Sequence, residues 1–142
     1  MNLGPKKITI LLVEDSEADV FFFQRALSKT KIAFQLVLAT DGKSALSILS
    51  DPKQEQKLDV VFLDLKLPYF SGFDVLRWSQ NQNFNSPLRI IVLSGSPHLK
   101  DKKLAQEMGS SEYLVKPISP EILQQYLVPR EKSGVEFRGC PD

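Results

Sequence analysis

Apolar residues in this chain fall into short, nearly continuous runs, separated by polar stretches in which apolar positions recur at helical spacing. Residues 8–13 (Ile-Thr-Ile-Leu-Leu-Val) are β-branched and almost wholly apolar, the pattern of a strand covered on both faces inside a parallel sheet. The run stops at Glu14 and Asp15. Ser16, with Asp19 three residues on, predicts a capped and acidic helix start, and Val20, Phe23, Ala26 and Leu27 give that helix one apolar face. Residues 34–39 form a second apolar run, after which Thr40, Asp41 and Gly42 turn into a helix carrying Ala45, Leu46 and Leu49. Residues 51–57 read as a polar loop. A third buried-type strand over 59–63 ends at Asp64, and a helix begins at Gly72 with Phe73, Leu76 and Arg77 in its first turns. The pattern then predicts a strand over 90–93, a helix over 100–108 and a short strand over 113–115. Ser119 and Pro120 open a last helix reaching Leu127, with Pro120 where a missing N–H costs nothing.

Five alternations of strand and helix in 142 residues predict an α/β fold: a doubly wound, five-stranded parallel sheet in a three-layer sandwich, one domain over residues 7–128. Residues 129–142, with Pro129, Gly134, Gly139 and Pro141, keep no period and are expected to form a C-terminal tail without an assigned role. The balance of 42% apolar and 25% charged residues is that of a packed globular protein. A net charge of +1 supplies no general field for nucleic acid or an anionic membrane, so any charge that matters must be local. Cys140 is the single cysteine, which excludes an intrachain disulfide. The apolar run near the N-terminus is too short to span a membrane and lacks a cleavable signal pattern, so a cytoplasmic protein is expected.

In open α/β sheets the binding crevice lies at the carboxyl ends of the strands. The residues that end strands here are Glu14 and Asp15, Asp64, Ser94 and Lys116. Carboxylates from two strands would converge there, joined by a hydroxyl and an ammonium. Acidic groups that close repel one another unless a cation sits among them, and an all-oxygen nest suits Mg²⁺. A magnesium site beside a lysine is equipped for a phosphoryl group, and an aspartate can itself be the nucleophile.

Four segments carry a family resemblance: residues 12–16 (Leu-Val-Glu-Asp-Ser), 61–72 (Val-Phe-Leu-Asp-Leu-Lys-Leu-Pro-Tyr-Phe-Ser-Gly), 92–95 (Val-Leu-Ser-Gly) and 113–117 (Tyr-Leu-Val-Lys-Pro). Together they resemble a bacterial response regulator receiver domain, over roughly residues 7 to 128. The resemblance implies that Asp64 is the phosphorylated aspartate, that Asp15 binds Mg²⁺ directly and Glu14 through water, and that the backbone carbonyl of Lys66 is a further ligand. It makes Ser94 the hydroxyl that bonds the phosphoryl group, with Gly95 the small residue behind it, and Lys116 the phosphate-pairing lysine. It also implies a cis bond before Pro117 and a switch aromatic at Tyr113. The implied protein is a stand-alone regulator that takes phosphate from a sensor histidine kinase, catalyses nothing beyond its own phosphorylation and slow dephosphorylation, and signals to a downstream protein or a histidine phosphotransfer protein. The loop at 51–57 further resembles the small regulators of cyanobacterial phytochromes, so a phytochrome-type kinase is the narrower expectation. No nucleic acid or membrane partner is implied, and homodimerisation stays open.

Blander readings compete at each position. Glu14 and Asp15 alone would pass for a helix-start pair, and Lys116 alone for a solvated lysine; beside Asp64 and Pro117 the functional reading is preferred. Ser94 and Tyr113 are more evenly balanced against simple capping and packing. His98 is assigned no role. Among residues 21–23, three phenylalanines in a row, one ring is expected to spill to the surface. Tyr69 and Phe70 either cover core or form a kinase-facing patch, and the patch is favoured. A flavodoxin-like electron carrier would need a phosphate cradle after the first strand, where Glu14 and Asp15 would repel the phosphate. An aspartate-nucleophile hydrolase would need a substrate pocket and usually a cap, for which no residues are spare. A DNA-binding regulator would need a further domain or a basic helix, which the last fifteen residues cannot supply. A degenerate receiver acting only as a binding module ranks below the active one, because the whole set of site residues is present.

Overall fold

A computed structural model describes residues 7–67, 70–95 and 98–130. The element order is β1 (Ile8–Val13), α1 (Glu17–Lys29), β2 (Phe34–Ala39), α2 (Gly42–Leu49), α3 (Pro52–Glu55), β3 (Val60–Asp64), α4 (Gly72–Gln80), β4 (Ile90–Ser94), α5 (Leu99–Glu107), β5 (Glu112–Val115) and α6 (Pro120–Gln124). The strands form one parallel sheet in the order β2-β1-β3-β4-β5. Strand order reverses at β1 and β3, so the crevice beyond their carboxyl ends is the topological switch point at which such sheets bind ligands.

The central strands are apolar along most of their length because both faces are covered. Successive side chains alternate between two cores. Leu11, Val13, Val61, Leu63, Ile90 and Val92 point to the side covered by α2, α4 and α5. Ile10, Leu12, Val60, Phe62, Ile91 and Leu93 meet Phe23, Ala26, Leu27 and Leu123 from α1 and α6. On the α1 side, Phe23 and Phe62 pack edge to face with ring centroids 5.1 Å apart.

Several sequence expectations need correction. The segment 51–57 is not a plain loop: Asp51 caps the one-turn helix α3, with Pro52 at its start. Helix α6 ends at Gln124 and not at Leu127, although Leu127 is still buried in the α1 side of the core. Two rings of the phenylalanine run reach the surface, not one: Phe21 and Phe22 are both exposed and only Phe23 is core. Phe70 packs against the core beside Gly42 instead of standing out as a patch, while Tyr69 lies outside the described residues.

The domain boundary also moves. Arg130, assigned to the tail by its sequence, is 6% exposed. Its guanidinium donates to the backbone oxygens of Glu55, Leu58, Ser86 and Pro87 and forms an ion pair with the Glu55 carboxylate. Its backbone N–H donates to Asp59 Oδ1 at 3.0 Å. Arg89 holds the same segment by donating to the carbonyls of Tyr126 and Val128. The packed domain therefore extends at least to Arg130, and residues 131–142 of the expected tail lie outside the described residues.

Candidate phosphoryl and metal site

Glu14 and Asp15 directly follow β1, Asp64 ends β3, Ser94 ends β4 and Lys116 follows β5. Parallel register brings all of them to one rim of the sheet. The Lys116 N–H donates to the Ser94 carbonyl at 2.7 Å, which continues the β4–β5 ladder to the position of the lysine. The Lys116–Pro117 peptide bond is cis, as the resemblance implied.

One carboxylate oxygen each from Glu14, Asp15 and Asp64 lie within 4.8 Å of one another. Glu14 and Asp64 are buried and Asp15 is exposed, so the nest opens to solvent on the Asp15 side. Lys116 Nζ reaches Glu14 Oε1 at 2.7 Å, Asp19 Oδ2 at 2.8 Å and Asp64 Oδ2 at 3.3 Å. The other oxygen of Asp64 accepts the Lys66 N–H at 3.1 Å, and Glu14 Oε2 accepts the Ser16 N–H at 3.2 Å. Backbone donors thus fix two carboxylates whose remaining oxygens face the lysine and the cleft.

Charge at this rim is only partly balanced. Burial pushes the Glu14 carboxyl up to about 7, against the hydrogen bond from Lys116, and the neighbouring Asp64 raises it further. For Lys116, burial works against the charge, but its bonds to Asp19 and Glu14 and the field of Asp64 outweigh it, so the ammonium is held well above its ordinary value. Three hard oxygen donors with surplus negative charge and an open face fit a small divalent cation such as Mg²⁺.

The loop after Asp64 is drawn tight. A Cβ on Gly72 would fall 2.4 Å from the Asp64 carbonyl oxygen and 2.6 Å from Leu65 Cα, so only glycine permits α4 to start there. The Gly72 N–H donates to the Leu65 carbonyl at 3.0 Å, and Ser71 and Asp74 cap the helix reciprocally. This closure holds the end of β3 against the start of α4.

An open cleft of about 570 Å³ spreads from the carboxylates across Lys66, Gly95 and Lys116 to an apolar wall that includes Phe22 and Ile118. Ser94 is buried, and the cleft wall at the end of β4 is formed by Leu93 and Gly95. A Cβ on Gly95 would meet no atom within 4 Å. Tyr113 is 7% exposed and packed in the core on the α4 and α5 side, away from solvent. His98 precedes α5 without capping it through its side chain. The residue that sequence reading missed is Asp19, read only as a first-turn acid. The signal was its place at the third helical position, from which a side chain leans back toward the helix N-terminus and hence toward the strand ends.

Residues 10–128 match the family model of the response regulator receiver domain. The chain is 32% identical over 111 residues to the alkaline phosphatase synthesis transcriptional regulatory protein PhoP of Bacillus subtilis, covering 78% of this chain and 43% of that protein. It spans less than half the length of the curated relatives it matches. Among solved structures it is similar to the bacteriophytochrome response regulator AtBRR (30% identity, TM-score 0.71, 87% of this chain and 94% of that one). It is also similar to the Mn²⁺-bound response regulator Rcp1 (30%, TM-score 0.67, 84% and 88%). A third is the phosphorylated cyanobacterial phytochrome response regulator RcpA (26%, TM-score 0.72, 86% and 89%).

Proposed function

The chain belongs to the response regulator receiver family, and from that premise we propose that Asp64 is the phosphoacceptor of a two-component relay, loaded from the phosphohistidine of a sensor kinase. The observation that carries this reading is the convergence on one rim of three carboxylates within 4.8 Å and an ammonium 3.3 Å from Asp64. A carboxylate oxygen of Asp64 attacks phosphorus; an O–P bond forms as the N–P bond of phosphohistidine breaks, and that bond's electron pair returns to the imidazole nitrogen. Lys116 supplies positive charge to the phosphoryl oxygens, and Lys66 N–H keeps the aspartate oriented.

Asp15, Asp64 and the Lys66 carbonyl would hold Mg²⁺ directly, with Glu14 acting through water. When bound, the cation would supply further positive charge to the phosphoryl oxygens. The Mn²⁺ named for Rcp1 and the phosphorylated state named for RcpA belong to those proteins, and they support the same reading here. Signalling runs through Ser94 and Tyr113. New phosphoryl oxygens on Asp64 draw the Ser94 hydroxyl, and the packing of Tyr113 shifts with it, biasing a pre-existing equilibrium toward the form that binds a downstream protein or a histidine phosphotransfer protein. The named phytochrome regulators support a phytochrome-type kinase as the donor.

Intact-mass measurement after incubation with acetyl phosphate and Mg²⁺ tests the assignment. Wild type gains one phosphoryl group, Asp64→Asn gains none, and chelation abolishes the gain. Equal uptake by Asp64→Asn would overturn the reading.

A further inference from the structure

An ammonium has three N–H donors, and those of Lys116 face three carboxylates, at 2.7 Å for Glu14, 2.8 Å for Asp19 and 3.3 Å for Asp64. Glu14 and Asp19 accept hydrogen bonds from the ammonium while Asp64 stands at ion-pair distance, so Lys116 closes on a phosphoryl oxygen at Asp64 against the pull of the first two. The three differ in what release costs. The Glu14 side chain is 2% exposed and that of Asp64 9%, so either carboxylate would be stranded away from water. The Asp19 side chain is 39% exposed, and water can solvate it as the lysine leaves.

We infer that Asp19 is a positioning residue for the phosphorylation reaction: it is the releasable counter-ion of Lys116, holding part of the ammonium toward α1 until the phosphoryl group draws it to Asp64. The inference rests on the phosphoacceptor reading of Asp64. Asp19 does not touch the phosphoryl group itself and acts through the lysine. The pull of Asp19 on Lys116 is also visible in the raised ammonium pKa, where its hydrogen bond contributes ahead of that from Glu14.

Asparagine at this position keeps the shape and the backbone N–H that donates to the Ser16 cap at 3.2 Å, but removes the competing charge. Lys116 stays in the site through its 2.7 Å bond to Glu14. The energy of a half-exposed ion pair converts to a rate change of about two- to fivefold. Asp19→Asn should therefore take up phosphate from acetyl phosphate about two- to fivefold faster than wild type, the O–P bond to Asp64 forming as acetate leaves with the electron pair of the broken bond. Asp19→Glu, which retains the charge, should return toward the wild-type rate. Glu17→Gln removes the same charge from the same turn of α1; Glu17 lines the neighbouring groove with Phe21 and Leu38 and is the control for general repulsion of the anionic donor.

Initial rates at saturating Mg²⁺ would be measured by intact mass on the four proteins, alongside NMR of the Lys116 Cε–Hε resonances without any donor. The expected result is acceleration and a displaced Lys116 resonance in Asp19→Asn, with neither in Glu17→Gln. An unchanged rate, an equal acceleration in Glu17→Gln or an unmoved Lys116 resonance overturns the inference while leaving Asp64 as acceptor. No uptake by wild type overturns the acceptor reading and this inference with it.

Discussion

Replacing Arg130 by alanine removes a guanidinium that makes hydrogen bonds to the carbonyls of Glu55, Leu58, Ser86 and Pro87 and an ion pair with the Glu55 carboxylate. Glu55 is 3% exposed, so its charge would be left buried without its cation. Removing one member of a buried pair costs about 3–5 kcal/mol, because the surviving charge keeps its desolvation penalty. Water entering the vacated space can satisfy part of the carbonyls, which argues against adding a separate full penalty for each. About 3–5 kcal/mol is a large share of the ~5–15 kcal/mol that stabilises an ordinary domain. Urea unfolding followed by Trp78, which is half-buried near Phe84 on the α4 side, is the assay. At a slope of about 2 kcal/mol per M the midpoint should fall by about 2 M. Arg130→Lys, which keeps the charge with a shorter reach and fewer donors, should lose less and remain measurable if the alanine variant does not fold. Adding Glu55→Gln to Arg130→Ala should restore part of the loss, because the stranded charge is then gone. A midpoint within about 0.5 M of wild type for Arg130→Ala, at equal slope, would refute the argument and show that water replaces the guanidinium at little cost. A chain cut before Pro129 should show the same loss, yet still accept phosphate where it remains folded.

Asp15→Asn should weaken Mg²⁺ affinity by about tenfold or more, and Glu14→Gln should weaken it less; the reverse order in a fluorescence titration would mean that the ligand roles are exchanged. Without metal, stability should decline as pH rises from about 5 to 8: the Glu14 carboxyl lies at about 7 in the fold against 4.5 ordinarily, so between these values the folded state holds the extra proton and its advantage is lost on deprotonation. Glu14→Gln should flatten this decline in chelator-treated protein, and an unchanged slope of urea midpoint against pH would remove Glu14 as its source. Gly72→Ala should cost at least about 1–3 kcal/mol and slow phosphoryl uptake, since its Cβ would sit 2.4 Å from the Asp64 carbonyl; wild-type melting and uptake would show that the loop relaxes freely.

The strands and their order of appearance were legible in the chain because a strand covered on both faces must be apolar at nearly every position, as residues 8–13, 60–63 and 90–93 are. The carboxylates, the serine and the lysine of the rim were legible for the complementary reason: polar residues that abruptly end such runs lie where parallel strands stop, and parallel strands stop together. Other features needed the folded chain. Arg130 sits among proline and glycine in a stretch without period, and its burial depends on carbonyls up to 75 residues away that face inward only once β3 and β4 are side by side. Phe22 and Phe23 are identical side chains one position apart, yet one is exposed and the other core, because helix phase against the sheet decides which ring meets Phe62. Asp19 reads as an ordinary first-turn acid, and its partner lies 97 residues away in sequence. Local pattern determines which residues must leave water; which polar groups then face one another is decided by the packing of distant elements, since a charge–charge contact depends on distance in space and leaves no period in the chain.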